Sequence, residues 1–299
     1  MNPSPRVVAV SATYRRPEEM RRLAASLGSL TQPLHAWVVV DNGGDLNVAE
    51  IFELCRVPVI PISPGTNLGC GAALRQAEEL ALERFRAELT HLWILDDDAV
   101  VQPGTLNELL EVMTRENAGA VVPAVTDSAG YVAWVPGLLD RSRQMALKQP
   151  YTPSEYLEKW GREPLPFSWA QGIALLVSRR ALDECGLHRD DFWIRGEDLD
   201  FSLRITRRFP GLFVPTTQTT HLPPEAGPNA ASSEYLKEVA MLRNVAYISL
   251  RLEHGRRIAR TIPGNWVRFI RTWGLRPRVL YDAAKAFLVG AVVGRPAGR

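Results

Sequence analysis

The sequence predicts an α/β fold with a mostly parallel central sheet flanked by helices. Short apolar, β-branched segments alternate with longer amphipathic stretches, a pattern typical of strands joined by helical crossovers. Prolines stand near the starts of predicted helices, where the missing N–H group is tolerated. With 299 residues and 46% hydrophobic side chains, the chain is long enough to bury one large core or one core with a smaller appended unit.

The predicted elements follow one another through most of the chain. Four strands come first, each followed by helix-like sequence, and they cover Val7 to Ala12, Trp37 to Val40, Val57 to Ile62 and Leu92 to Leu95. Pro17 and Pro103 place helix starts just after the first and the fourth strand. Two further strands, Ile173 to Ser178 and Leu212 to Val214, bracket a helix predicted from Glu197 to Arg208.

The charge of the chain is unevenly distributed. The formal net charge is +2, but residues 243 to 299 carry 12 Lys or Arg and only two acids. The other residues therefore carry 23 basic and 31 acidic groups. From Ser232 onward the sequence looks helical and becomes basic. This indicates contact with an anionic surface such as lipid head groups, nucleic acid or polyphosphate, and a solvated helical face explains the pattern equally well.

Cysteine content and the apolar runs indicate the compartment. Cys55, Cys70 and Cys185 are odd in number and lack metal-type spacing, so a disulfide framework is not expected and a reducing cytoplasm fits. The N-terminus has the pattern of a first strand and not of a signal peptide. The longest late apolar run, Ala286 to Gly294, is far shorter than the ~20 residues that span a bilayer. Any membrane contact is expected to be peripheral.

Three consecutive aspartates, Asp96 to Asp98, directly follow the fourth strand. Ligands of open α/β sheets bind beyond the carboxyl ends of the strands. In an extended segment Asp96 and Asp98 share one face, while Asp97 points away. Two carboxylates held together are costly without a cation between them, and their oxygens suit Mg²⁺ or Mn²⁺ bridging a diphosphate. A solvated turn or a helix cap is the alternative, and the position after a strand favours the metal.

A second acidic cluster opens the helix predicted from Glu197. Glu197, Asp198 and Asp200 fall in its first turn, where the helix dipole favours negative charge. A carboxylate at a helix start on the rim of a cleft can also act as a general base toward a hydroxyl group. The motif alone leaves the structural and the catalytic interpretation open.

Two weaker signals accompany the acidic motifs. His221 follows a strand-like run, and its imidazole can complete a metal shell if the chain folds back beneath the aspartates, although a lone histidine is more often structural. Residues 67–77 form a glycine-punctuated helix start at which backbone amides can approach a nucleotide. Neither GxGxxG nor GxxxxGK[ST] occurs in the chain, which disfavours hydride transfer and P-loop phosphoryl transfer.

Taken together, seven features resemble family 2 glycosyltransferases of the GT-A fold in order and spacing. They are SATYRRP, VVVDNGG, NLGCGAALRQA, LWILDDDAV, WAQGIALLVSRRAL, IRGEDLDFSLRI and the later His221. The resemblance covers roughly residues 6 to 225 and is strongest to bacterial galactofuranosyltransferases, followed by rhamnosyltransferases of cell-envelope assembly. It implies a GT-A catalytic domain over residues 1–225, with a basic, aromatic helical region over 226–299 that serves membrane contact or oligomerisation.

The resemblance also implies a role for each motif. Asp198 is expected to be the catalytic base, and Glu197 beside it to orient the acceptor hydroxyl. The residues expected to contact the donor nucleotide are Thr13, Arg15, Asp41, Asn67, Gly69, Asp96 and Asp97. Those expected to hold Mn²⁺ or Mg²⁺ are Asp96, Asp98 and His221. Those expected on the acceptor side, where an aromatic face can stack on a sugar ring, are Trp169, Gln171 and Gly172.

The expected reaction is an inverting, metal-dependent transfer of galactofuranose or rhamnose from a UDP- or dTDP-linked donor. The acceptor is a glycan or polyprenyl-linked glycolipid of cell-envelope polysaccharide synthesis. Asp198 removes the acceptor proton while the metal offsets charge on the departing nucleotide diphosphate. A sugar-nucleotide pyrophosphorylase and a catalytically silent module that binds glycolipid or partner proteins are the rival functions.

The arginine- and tryptophan-rich C-terminal segment resembles the peripheral membrane helices of enzymes that act on polyprenyl-linked glycans. Its aromatic residues include Trp266, Phe269, Trp273 and Tyr281. Rings interleaved with arginine suit a membrane interface. An anionic membrane at the inner face of the cell membrane is therefore the expected partner, nucleic acid is not expected, and a homodimer interface is the alternative.

Overall fold

The computed structural model describes residues 5–139, 150–223, 230–252 and 258–292. Its strands, in chain order, are β1 (Val7–Thr13), β2 (Ala36–Asp41), β3 (Val59–Ile62), β4 (His91–Leu95), β5 (Ala99–Val101), β6 (Ala120–Thr126), β7 (Val132–Ala133), β8 (Gly137–Leu138), β9 (Leu165–Trp169), β10 (Ala174–Ser178) and β11 (Gly211–His221). Its helices are α1 (Pro17–Gly28), α2 (Val48–Cys55), α3 (Cys70–Arg84), α4 (Thr105–Arg115), α5 (Pro153–Trp160), α6 (Arg179–Cys185), α7 (Glu197–Thr206), α8 (Ala230–Arg251), α9 (Ile258–Trp273) and α10 (Pro277–Val292).

The predicted strands and helices are present, with shifts at their ends. Pro17 is the first residue of α1, whereas α4 begins two residues after Pro103. β11 is much longer than the predicted Leu212 to Val214, because it pairs along its length with β6, β9 and β5. The strands β5 to β9 were not predicted. β5, β7 and β8 have only two or three residues, which are too few to show periodicity.

The central sheet is parallel on one side and mixed on the other. β3, β2, β1 and β4 lie in that order and are parallel. Beyond β4 the order continues as β10, β6, β11, β9 and β8, with β10 antiparallel to both of its neighbours. The α/β class with a central sheet and flanking helices is confirmed, but the parallel arrangement dominates only the first four strands. Short links such as residues 127–131, between β6 and β7, cannot form the crossover that parallel neighbours need.

The sheet buries an apolar layer on each face. Val7 and Ala9 of β1 face one layer, and Val8 and Val10 face the other, because side chains alternate along a strand. Residues of α1, α2 and α4 complete the first layer, and residues of α3, α6 and α7 complete the second. β2 is buried along its whole length, as expected for a parallel strand between two helical layers. Polar groups of these strands are therefore concentrated at their ends.

The three C-terminal helices form a small core of their own. It comprises Leu242, Phe269, Val279, Ala283 and Ala286. α10 lies close against α8, since a Cβ added to Gly290 would lie 2.1 Å from the carbonyl oxygen of Arg243. Every helix among the described residues is too short or too polar to cross a membrane. The predicted domain boundary after residue 225 falls within residues 224–229, outside the described residues, and stays a prediction.

Candidate active site

A cavity of about 460 Å³ opens at the carboxyl ends of β1, β2 and β4. We call it the donor cavity. The residues predicted to contact the nucleotide that line it are Thr13, Asn67, Gly69, Asp96 and Asp97. Asp98 lines it as well, and α8 closes it with two polar residues, Ser233 and Lys237. The structure thus gathers residues from distant parts of the chain around one space.

Two residues predicted to contact the nucleotide, Arg15 and Asp41, lie outside the donor cavity lining. Arg15 is exposed, has φ of 55° and places its guanidinium over the ring of Tyr14. Asp41 is buried, and its carboxylate accepts three hydrogen bonds from backbone amides within residues 43–46. Because its oxygens are already bonded, Asp41 shapes the loop after β2. Nucleotide contact by these two residues stays a prediction.

Arg16 and Asn42 line the donor cavity, although the motifs did not single them out. Nη1 of Arg16 lies 2.7 Å from Oδ1 of Asp97 and 3.0 Å from Oδ2 of Asp98. Arg16 occupies the N-cap position of α1, so the turn from β1 into α1 carries its guanidinium to the end of β4. Oδ1 of Asn42 accepts a hydrogen bond from the amide of Leu68 and ties the loop before α3 to the end of β2. Arg16 lies in the SATYRRP segment and Asn42 in VVVDNGG, so these two segments were the sequence signals that could have identified them.

The glycine-rich start of α3 is shaped by protein packing. A Cβ added to Gly69, whose φ is 82°, would lie 2.2 Å from the Trp193 side chain. The amides of Cys70 and Gly71 donate to the carbonyl oxygens of Trp193 and Phe192, at 2.7 and 3.2 Å. These amides are therefore not available to a nucleotide, contrary to the expectation from sequence. The glycines are needed because the segment before α7 approaches α3 closely.

The structure brings together the three residues predicted to hold a metal. One ligand atom each of Asp96, Asp98 and His221 lies within 4.8 Å of the others, and Nε2 of His221 lies 2.9 Å from Oδ1 of Asp98. β11 pairs with β5, which places His221 opposite Ala99. The aspartates lie in a turn closed by the bond from the Ala99 amide to the Asp96 carbonyl, and not in an extended segment. Asp97 is not part of this three-residue cluster, and its carboxylate bonds to Arg16, which also bonds to Asp98.

Burial and charge set the ionisation of this cluster. Burial, with the charge of Asp98 added, raises the pKa of Asp96 to about 8. Burial acts in the same direction on Asp98, but the hydrogen bond and charge of His221 outweigh it and lower the pKa of Asp98. Burial lowers and Asp98 raises the pKa of His221, and the net shift is upward. A divalent cation would relieve the repulsion between the two carboxylates, so two carboxylates and an imidazole fit Mn²⁺ or Mg²⁺.

A second cavity, of about 520 Å³, lies on the other side of the start of α7. We call it the acceptor cavity. Of the residues predicted for catalysis and acceptor binding, those that line it are Trp169, Gln171, Glu197 and Asp198. Gly172 is buried behind Asp198, since a Cβ added there would lie 3.7 Å from the Asp198 Cβ. Glu197 lines both cavities and therefore stands between the aspartates and the acceptor side.

The acidic pair at the start of α7 is poorly solvated. Burial raises the pKa of Asp198, whose Oδ1 accepts a hydrogen bond of 2.7 Å from the Leu199 amide. Burial and then the charge of Asp198 raise the pKa of Glu197 to about 8. The thiol of Cys70 hydrogen-bonds to the Glu197 carboxyl group, whose Oε2 has no partner among the described residues. A carboxylate with a raised pKa is a better proton acceptor than an exposed one.

α8 is fastened to the loop that precedes this acidic pair. Nδ2 of the buried Asn244 donates to the carbonyl oxygens of Ile194 and Arg195, at 3.2 and 2.6 Å. The guanidinium of Arg195 bonds to Glu234 at 2.6 Å and to Glu238 at 2.7 Å. Arg195 has φ of 60° and is followed by a glycine at 95°, so two consecutive left-handed residues precede α7. The C-terminal helices thus help to build the site.

Comparison with known proteins agrees with this geometry. Residues 9–176 match glycosyl transferase family 2. An N-acetylglucosaminyl-diphospho-decaprenol L-rhamnosyltransferase of Mycobacterium tuberculosis is 26% identical to this chain over 230 residues, which are 71% of this chain and 74% of the relative. More than half of the chain therefore carries the family pattern.

Solved structures share the fold at low sequence identity. Staphylococcus aureus TarS 1–349 in complex with UDP-GlcNAc is 14% identical, with a TM-score of 0.60 over 96% of this chain and 81% of that chain. The mannosyltransferase PcManGT from Pyrobaculum calidifontis, in complex with GDP-Man and Mn²⁺, is 15% identical, with a TM-score of 0.57 over 99% and 77%. The chain is a glycosyltransferase that belongs to family 2 and has the GT-A fold.

Proposed function

We propose that this enzyme is an inverting, metal-dependent transferase that moves rhamnose or galactofuranose from a dTDP- or UDP-linked donor to a polyprenyl-linked glycan of the cell envelope. The observation that carries this proposal is the start of α7, where Glu197 lines both cavities, with Asp96 and Asp98 of the metal-type cluster in one and Asp198 beside an apolar wall in the other. The name of the mycobacterial relative supports rhamnose.

The donor diphosphate occupies the donor cavity in this proposal. Asp96, Asp98 and His221 would hold Mn²⁺ or Mg²⁺, which would offset the negative charge of the departing nucleotide diphosphate. Arg16 fixes Asp97 and Asp98 and reduces the net charge that the donor meets. The Mn²⁺ and GDP-Man named for the Pyrobaculum mannosyltransferase support this chemistry.

Asp198 is the proposed general base. It takes the proton of the acceptor hydroxyl as that oxygen forms a bond to the anomeric carbon. The bond from the anomeric carbon to the donor phosphate oxygen breaks, and the nucleotide diphosphate leaves with the electron pair. A single displacement of this kind inverts the anomeric configuration. The raised pKa of Asp198, caused by burial, favours proton acceptance, and Glu197 orients the acceptor hydroxyl from its place between the cavities.

The acceptor class follows from the lining of the acceptor cavity. Its apolar side chains are Ile194, Leu199, Met241, Val245 and Ile248. Trp169 offers a ring to a sugar face at the same cavity. An apolar wall beside an aromatic ring suits the first sugars and the isoprenoid end of a lipid-linked glycan. The decaprenol named for the mycobacterial relative supports such an acceptor.

A donor and acceptor screen tests the proposed function. dTDP-rhamnose and UDP-galactofuranose are each incubated with the full chain, Mn²⁺ and either N-acetylglucosaminyl-diphospho-polyprenol or a water-soluble N-acetylglucosamine glycoside. We expect transfer from one donor to the lipid-linked acceptor, its loss with a chelator and its return with added Mn²⁺. Transfer that is unaffected by chelation would contradict the proposed metal dependence. Exclusive use of the soluble glycoside would contradict the proposed lipid-linked acceptor.

We further propose that α10 binds the anionic inner face of the cell membrane. This helix exposes an apolar stripe formed by Tyr281, Leu288 and Val292, with side chains 64%, 61% and 70% exposed. Lys285 is exposed on the same helix, and rings and cations side by side suit lipid head groups. Tyr281→Ser with Leu288→Ser should reduce sedimentation with anionic vesicles, whereas Leu139→Ser, at another exposed leucine, should not. A change in oligomeric mass with unchanged sedimentation would favour a homodimer.

A further inference from the structure

We infer that Lys237, on the C-terminal helix α8, binds the diphosphate of the nucleotide-sugar donor. The inference rests on the proposed function and adds to it a donor-binding residue from outside the sheet domain. None of the sequence motifs contains this lysine. Its assignment depends on where α8 lies, on the charges of the donor cavity and on the partners of its neighbours.

One face of α8 runs past both cavities. Ser233 and Lys237 line the donor cavity, and Met241, Val245 and Ile248 line the acceptor cavity. Successive members of this set are three or four residues apart, which is the spacing of one helix face. The face is polar beside the aspartates and apolar beside the acceptor cavity. Lys237 therefore stands where the diphosphate of the donor is proposed to bind.

The charges that line the donor cavity leave this lysine available. Four acids line the cavity, Asp96, Asp97, Asp98 and Glu197, against the cations Arg16 and Lys237. Arg16 is already bonded to two of the acids. Lys237 forms no ion pair with any other described residue. A diphosphate that enters this acidic cavity needs cations, and lysine meets phosphate as a compact point charge.

The acids next to Lys237 on α8 are occupied by Arg195. Glu234 lies three residues before Lys237, and Glu238 follows it, and both carboxylates bond to the Arg195 guanidinium. These bonds satisfy the two carboxylates that are closest along the helix. They also hold α8 against the loop before α7, together with Asn244. Lys237 is thus carried by an anchored helix and faces the cavity without a competing partner among the described residues.

The test compares nucleotide binding by the full chain and by Lys237→Gln, measured by calorimetry with Mn²⁺ and with dTDP and UDP as probes. The Kd of the nucleotide that binds wild type should rise roughly 10- to 100-fold in Lys237→Gln, because one charge-assisted contact to phosphate is lost. Lys237→Arg keeps the charge and should stay within a few-fold of wild type. Lys159→Gln, which removes an exposed lysine of α5 outside both cavities, is the matched control and should leave the Kd unchanged.

Each outcome decides the inference. An equal Kd for wild type and Lys237→Gln overturns it while leaving the proposed function intact. A fall in the thermal unfolding midpoint of both Lys237 variants without nucleotide indicates a structural role and also overturns it. If wild type binds neither dTDP nor UDP, the proposed function fails, and this inference fails with it.

Discussion

The donor cavity and the acceptor cavity share Glu197 but are built in different ways. Asp96 to Asp98 line the donor cavity directly after β4, while Glu197 and Lys237 reach it from α7 and α8. The acceptor cavity takes most of its apolar wall from α8, a helix of the C-terminal region. The difference shows that the end of β4 positions the carboxylates suited to a metal, while helix packing brings Lys237 to the donor cavity and shapes the space proposed for the acceptor.

The largest effect should come from the acidic pair between the cavities. Asp198→Asn removes the proposed base and should lower the rate of transfer by about 10²- to 10⁴-fold. The Kd of dTDP or UDP should stay near the wild-type value, because Asp198 lines only the acceptor cavity. Single-turnover rates and calorimetry measure the two quantities. A large loss of nucleotide affinity would show that Asp198 also affects donor binding, which would contradict separate roles for the two cavities.

The metal-type cluster beside the donor cavity should respond to the loss of its imidazole. His221→Ala removes one of three converging ligand atoms and should raise the Mn²⁺ concentration for half-maximal activity by at least about 10-fold. The KM for the acceptor should not change. Titration of activity with Mn²⁺ checks this, with His35→Ala, at a histidine outside both cavities, as the control. An unchanged Mn²⁺ requirement would contradict the proposed ligand set.

The link between α8 and the acidic pair should have an intermediate effect. Asn244→Ala leaves the part-buried carbonyl oxygens of Ile194 and Arg195 without their donor, which should cost about 1–3 kcal/mol of stability. We expect kcat to fall roughly 10-fold, because the start of α7 loses its support. The donor KM should change less, because the bonds from Arg195 to Glu234 and Glu238 still hold α8 near Lys237. Asn107→Ala, at an exposed asparagine bonded to Thr31, is the control for stability. An unchanged kcat would mean that the sheet alone positions the acidic pair.

The smallest effect concerns stability and pH. The pKa of Glu197 is raised from an ordinary value of 4.5 to about 8, first by burial and then by Asp198. The folded chain therefore holds this proton more tightly than the unfolded chain, and stability falls as pH rises from about 4.5 to about 8. Glu197→Gln removes this loss and should stabilise the metal-free protein by on the order of 1–3 kcal/mol at pH 8, with little gain at pH 4.5.

Denaturant unfolding at both pH values, with a chelator present, measures this difference. Asp96 also has a raised pKa, but it is present in both proteins and contributes to both curves. Glu83→Gln, at a carboxyl group outside both cavities, is the control. A gain that is equal at pH 4.5 and pH 8 would indicate a packing effect and not the ionisation of Glu197.

The sequence by itself determined the order of the main strands and helices and the chemical types at their ends. The apolar, β-branched runs before Asp96 and the helical pattern after Glu197 are local signals, and local periodicity predicts local structure. The same patterns predicted the parallel half of the sheet. In the mixed half they predicted β10 and part of β11 but not β5 to β9, and the pairing of these strands joins segments that are distant in the chain.

Only the tertiary structure decided which neighbouring side chain faces the site. Arg15 and Arg16 are adjacent and chemically equal, and the backbone turn into α1 places Arg16 on the aspartates. His221 reaches Asp98 through the pairing of β11 with β5, and Lys237 reaches the donor cavity through the packing of α8. These contacts join residues that are far apart in the chain. Local sequence patterns do not predict the strand register or the helix orientation that brings such residues together.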